Sequence, residues 1–287
     1  MPDFPIVDAH VHLYDPASID YPWMSAVPTL KEPHLPAHFF AANAPVEVDA
    51  LVFVEVDAAP GRHLEEAAFI EGLATSEPRI RGMVCSLPLD RGDAVTGDLE
   101  RYASKPLARG VRTLIERHQD DPGWAIREPF VRNVQALERY SLSFDLCLRS
   151  GQLPEATELA RRCPNVRFVL DHIGKPPIRD GGLDPWRQHL AVLAAEPNVW
   201  CKISGVLTEA DHAHWTYDSV APYVAHAIEC FGFDRVLYGG DWPVSRLASS
   251  YADWVDVVDR VVSDCSADEL HRLYRRNAEI FYRLVPD

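Results

Sequence analysis

Short apolar runs recur along the chain, and the stretches between them carry apolar residues at helical spacing. The runs read FPIVDAHVH, VDALVFVEV, RIRGMVCSL, ARGVRTLI, LSFDLCLR, VRFVLDHIG, NVWCKISG and DRVLYGGDWP. Each holds roughly 5–8 residues rich in Val, Ile and Leu, which predicts strands covered on both faces, as in a parallel sheet. RHLEEAAFIEGLA, REPFVRNVQALERY, LPEATELARRC and SVAPYVAHAIECF predict helices between them. In the first of these, Leu64, Ala67, Ala68 and Leu73 are spaced as one apolar stripe. After the last run, YADWVDVVDRVV and SADELHRLYRRNAEIFYRL predict further helices. The latter opens with Ser266 and has Glu269 three residues on, the pattern of a capping box.

Eight strand-then-helix units predict a (β/α)₈ TIM barrel, formed as a single domain over 1–287. The competing arrangement is a doubly wound open sheet. In a nucleotide-binding role it needs a glycine-rich turn after an early strand, and the chain has none. No linker, low-complexity tract or exact repeat divides the sequence.

In such barrels the reacting groups lie at the C-terminal ends of the strands. The first run ends in DAHVH, and residues i and i+2 of a strand share a face, so His10 and His12 project into one space. The other strand ends carry Glu55 and Asp57; Arg112, followed by Arg117 and His118; Arg149; Asp171, His172 and Lys175; Lys202 and Ser204; and Asp241 with Trp242. Each has a plain structural reading beside the chemical one. Arg112 can pair with a barrel carboxylate, Asp241 can cap a turn, and His172 can be a satisfied core histidine. Lys202 is harder to dismiss, because burying an unpaired ammonium is costly. It must meet a carboxylate, a ligand or water in the barrel mouth. No G-x-S-x-G elbow is present, and Cys147, the cysteine nearest a strand end, reads as core packing.

Composition narrows the partners. A formal net charge of −15 argues against nonspecific binding to nucleic acid or an anionic membrane. No stretch approaches the roughly 20 apolar residues of a spanning helix, and the N-terminus lacks the layout of a signal peptide. The six cysteines show no close-paired spacing, which predicts a reduced, cytoplasmic protein.

With VDAHVHLYDP, VLDHIGKPP, NVWCKISG, DRVLYGGDWPV and NAEIFYRL, the chain resembles the amidohydrolase superfamily along its whole length. Within the amidohydrolase-2 branch it is most similar to the sugar-lactonase and pyrone-dicarboxylate-lactonase group. The superfamily's binuclear metal hydrolases use two histidines on strand one, one each on strands five and six, an aspartate on strand eight and a bridging lysine or glutamate on strand four. His10, His12, His172 and Asp241 match, but strand five has no histidine and Arg112 stands at the bridge, where a permanently protonated guanidinium cannot serve. The resemblance therefore implies at most one divalent ion such as zinc, held by some of His10, His12, His172 and Asp241, or no ion at all.

The implied activity is hydrolysis of a small-molecule lactone, as in carbohydrate catabolism. Asp241 acts as general base on water, while His10, His12 and His172 polarise the carbonyl, with or without an ion. Arg112, Lys202 and Glu55 position the substrate, and Tyr14, Trp23 and Trp242 cover a sugar ring. A sugar aldonolactone, such as L-fucono- or L-rhamnonolactone, is the favoured substrate. The alternatives are a pyrone-dicarboxylate lactonase, a zinc-dependent non-oxidative aromatic-acid decarboxylase, and an inactive binding barrel. The decarboxylases open their motif with glutamate, whereas this chain has Asp8.

Overall fold

The computed structural model describes residues 2–284. Eight parallel strands lie in sequence order: β1 Ile6–Val11, β2 Val48–Val54, β3 Ile80–Ser86, β4 Ala108–Leu114, β5 Ser143–Cys147, β6 Phe168–Leu170, β7 Val199–Ile203 and β8 Val236–Tyr238. Each of the eight apolar runs supplies one of them. The barrel closes where the chain beyond β8 meets β1. There Asp241 N–H donates to the His10 carbonyl and His12 N–H to the Trp242 carbonyl, both at 2.8 Å.

The principal helices pack outside the strands: α1 Pro36–Ala42, α2 His63–Ala74, α3 Thr96–Ala103, α4 Glu128–Ala136, α5 Leu153–Arg162, α6 Trp186–Ala194, α7 Tyr217–Phe231, α8 Tyr251–Val261, α9 Ala267–His271 and α10 Asn277–Tyr282. The expected capping box opens α9, with Ser266 N–H donating to Glu269 Oε2 at 2.8 Å. A π-helical segment, Arg272–Arg276, joins α9 to α10, so the last predicted helix is continuous but locally widened. The stripe expected on α2 is displaced. Glu66, Ala67 and Ile70 are buried while Ala68 is exposed, because the helix turns a carboxylate toward the barrel end.

Register aligns Arg112 with Asp145, Asp145 with Val169, and Lys202 with Leu237, so these side chains share the interior face. Val84, Val169 and Leu237 belong to an apolar cluster that also takes in Ala278, Phe281, Tyr282 and Leu284. From this C-terminal segment Tyr282 O–H reaches Asp145 Oδ2 at 2.8 Å. No helix among the described residues is long and apolar enough to cross a membrane, and all six cysteines are free.

Candidate active site

β6 and β8 are only three residues long, and the chain leaves both through left-handed backbone. His172 has φ 55° and Asp241 φ 53°, a conformation that costs on the order of 1–3 kcal/mol per non-glycine residue and persists where the surroundings impose it. These turns aim the two side chains at the histidines of β1. Asp241 Oδ1 lies 3.4 Å from His12 Nε2, 3.6 Å from His10 Nε2 and 4.0 Å from His172 Nε2. The expected convergence of all four residues is thus present, around one carboxylate oxygen.

Burial alone raises the pKa of Asp241, but His172, His12 and His10 outweigh it and hold the carboxyl well below the usual carboxylate range. Burial pushes the pKa of His172 down. His12 donates from Nδ1 to the Val54 carbonyl at 2.8 Å, since a carbonyl only accepts. Its Nε2 therefore meets Asp241 as a bare lone pair unless a proton or a cation lies between them. His172 Nδ1 lies 3.0 Å from the Ser204 hydroxyl. His10, His12 and Asp241 bring ligand atoms within 4.8 Å of one another, as do His10, Asp171 and His172. Imidazoles around an ionised carboxylate, with His10 Nε2 buried and unpartnered among the described residues, form a donor set that fits one divalent ion.

Beneath this group is a layer of paired charge. Lys202 Nζ lies 2.6 Å from Asp145 and 3.0 Å from Asp171. Arg112 donates to Glu55 Oε1 at 2.6 Å and to Asp171 Oδ2 at 3.1 Å. Burial opposes ionisation of Lys202, but Asp145 and Asp171 outweigh it and raise its pKa. Asp171 is pulled well below the usual carboxylate range, because Lys202, His10 and Arg112 overcome the effect of burial. Asp145 is pushed up to about 6 by burial in spite of Lys202.

Above the carboxylate opens a cavity of about 290 Å³, whose wall includes His12, His172, Asp241, Tyr14, Trp23 and Glu55. Its cations are Arg112, Arg117 and Lys175. Each is matched with an acid: Arg112 with Glu55 and Asp171, Arg117 with Asp57, and Lys175 with Glu116 at 2.6 Å. Burial pushes the Cys147 thiol up to about 12, so this wall residue is a neutral thiol.

Three expectations need correction. Lys202 is fully buried below the histidines and is absent from the cavity wall, so it holds carboxylates rather than substrate. Trp242 is turned away from the cavity and packs on His34 and Phe39. His10 is also off the wall and faces Asp241 rather than a substrate carbonyl. Arg112 follows its plain reading as a partner of barrel carboxylates, while still showing an edge to the cavity. Asp145, Glu66, Glu116 and Gly205 were not anticipated. Asp145 carried the same signal that singled out Lys202, a charge inside an apolar strand.

The family described as amidohydrolase matches residues 7–284. The chain is 31% identical over 293 residues to an L-fucono-1,5-lactonase of Burkholderia ambifaria, covering 97% of this chain and 95% of that protein. It is 25% identical over 342 residues to an L-rhamnono-gamma-lactonase of Scheffersomyces stipitis, covering 99% and 100%. Among solved structures, an amidohydrolase from Burkholderia multivorans with bound zinc superposes with a TM-score of 0.86 at 29% identity, covering 98% and 100%.

Proposed function

The chain belongs to the amidohydrolase family, and on that premise we propose that it is a lactonase that opens a neutral, polyhydroxylated sugar lactone. Relatives that are themselves sugar lactonases, aligned over nearly the whole chain, support the reaction class. The observation that carries the substrate class is the pairing of the cavity's cations. Arg112, Arg117 and Lys175 already face carboxylates, so a dicarboxylate substrate would find no unneutralised positive charge among them. Hydroxyl groups, which donate and accept, suit such pairs better. Tyr14 and Trp23 offer apolar faces to the ring.

In this reading Asp241 takes a proton from water as the water oxygen attacks the lactone carbonyl carbon. The ring C–O bond then breaks, and Asp241 returns the proton to the leaving alkoxide, giving an open-chain hydroxy acid. With no ion bound, Ser204 can donate to Nδ1 of His172, which leaves the ring hydrogen on Nε2 to meet the developing oxyanion; with an ion on Nε2 the hydrogen would sit on Nδ1 and the Ser204 oxygen would accept it. One divalent ion such as zinc would be held by Asp241 with two or three of His10, His12 and His172. When bound it supplies Lewis-acid polarisation of the carbonyl oxygen.

The test is a panel of L-fucono-, L-rhamnono- and related aldonolactones beside a pyrone dicarboxylate lactone, followed by acid release with a pH indicator. Hydrolysis of the sugar lactones with little turnover of the dicarboxylate is expected. Preference for the dicarboxylate overturns the substrate class.

A further inference from the structure

A second cavity, of about 650 Å³, opens on the same rim of the barrel beside the catalytic one. Its wall comes from the segments that follow β4, β5, β6 and β7, and includes His118, Arg149, Arg179 and Glu209. Lys175 and Thr208 belong to both walls, so the two cavities meet at these side chains. The border is one chain of ion pairs. Glu116, on the catalytic wall, lies 2.6 Å from Lys175 and 3.3 Å from Arg149, which stands on the second wall. Arg149 in turn reaches Glu209 at 2.9 Å.

This border is held firmly. Lys175 sits on left-handed backbone, φ 46°, which a non-glycine residue keeps only where its surroundings impose it, and such residues gather at ligand sites. Thr208 Oγ1 donates to the Gly205 carbonyl at 2.6 Å. Gln152 accepts the Arg149 N–H at 3.0 Å and donates to the Ile115 carbonyl at 2.9 Å. The charges are balanced as in the catalytic cavity. Lys175 and Arg149 are held by acids, and Arg179 comes with Asp180, its neighbour in the chain, on the same wall. An anion therefore finds no surplus of positive charge, whereas hydroxyl groups can donate to the acids and accept from the cations. The catalytic cavity, at about 290 Å³, sits at the bottom of the range of about 300–1,000 Å³ usual for small-molecule sites. It suits one lactone ring and leaves its larger neighbour without an occupant.

We propose that the second cavity is a subsite for a further neutral sugar, so that the substrate is an aldonolactone carrying that sugar through a glycosidic bond. The lactone ring lies against Asp241, the attached sugar lies between the segments after β4 to β7, and the link crosses Lys175 and Thr208. The inference rests on the lactonase reading and narrows its substrate.

The experiment takes the lactone hydrolysed best in the panel above and the same lactone carrying one hexose, α- or β-linked, at each free hydroxyl in turn. At least one glycosylated lactone is expected to match or exceed the bare lactone in kcat/KM; if all are slower, the proposal is overturned. A Cβ added at Gly151, on the second wall, meets nothing within 4 Å, so Gly151→Phe enters the cavity where there is room. It is expected to lower kcat/KM for the glycosylated lactone, relative to the bare one, by at least threefold, and a smaller change overturns the subsite. Asp180→Trp, at an exposed position of the same wall, takes its place if that variant does not fold. If no lactone is hydrolysed, the lactonase reading fails on its own. The subsite is then read by calorimetric binding of glycosylated L-fuconic acids to the wild-type chain and to Gly151→Phe. Binding that is absent, or that the substitution does not weaken, overturns it.

Discussion

Gly205 stands so close to His172 that a Cβ on it would lie 2.3 Å from the imidazole Nδ1, and 2.7 Å from Asp241 Oδ2. Its φ of +59° independently favours glycine. The bend after β7 therefore fits against both side chains at once. Gly205→Ala must push His172 or Asp241 aside, and misplacing a catalytic group by about 1 Å costs on the order of 10²-fold in rate. Steady-state kinetics on a variant that still unfolds cooperatively checks this; a rate within about threefold of wild type would show that the loop yields instead.

Asp241→Asn keeps the shape of the side chain and removes the base. The expected loss in kcat is on the order of 10²–10⁴-fold. KM should change little, because the lost interaction is with attacking water. The surrounding histidines hold the Asp241 carboxyl below the usual range despite its burial. A base with a lowered pKa stays ionised as pH falls, so the acid limb of the rate profile should begin below about 4, the ordinary aspartate value. An acid limb centred near neutrality would assign the base elsewhere.

Burial, and then repulsion from Glu55, pushes Glu66 up to about 8 from 4.5. Between those values the folded chain keeps a proton that the unfolded chain has released. Stability from this group is therefore lost as pH rises from about 4.5 toward 8, by an amount of order a few kcal/mol. Glu66→Gln should flatten that slope and stabilise the protein on the alkaline side. Urea midpoints of both proteins, measured across this pH range, decide it; parallel curves would show that Glu66 does not titrate there.

Metal analysis of purified protein should find no more than one tightly held divalent ion per chain. Arg112 at the end of β4 pairs with Glu55 and Asp171 instead of bridging ions, and β5 offers Asp145, which is already engaged by Lys202 and Tyr282. Two tightly held ions per chain would contradict this. Full turnover after chelation would show that the residues suffice without an ion.

The barrel was legible because burial on both faces leaves strands as unbroken apolar runs, and each of the eight runs became a strand. DAHVH and the residues after β6 and β8 were legible for a related reason: polar groups at the ends of apolar runs stand out. Direction was harder to read. Lys202 and Asp145 look alike in sequence whether they face a ligand or each other, and only register across β4, β5 and β7 shows that they pair. Trp242 follows Asp241 directly, yet the left-handed turn at Asp241 sends its ring toward Phe39. Gly205 gave no signal, since its role depends on how close β7 comes to His172.

The bond from Tyr282 to Asp145 also bears on how the molecule comes into being. The two residues are 137 positions apart in the chain. During synthesis β5 emerges long before the hydroxyl that will satisfy its buried acid, and Lys202 arrives in between. A nascent chain can hydrogen-bond its early strands together, but the polar heart of the barrel stays wet until α10 has left the ribosome. The polar network beneath the candidate site is therefore complete only once α10, the last helix among the described residues, has been made.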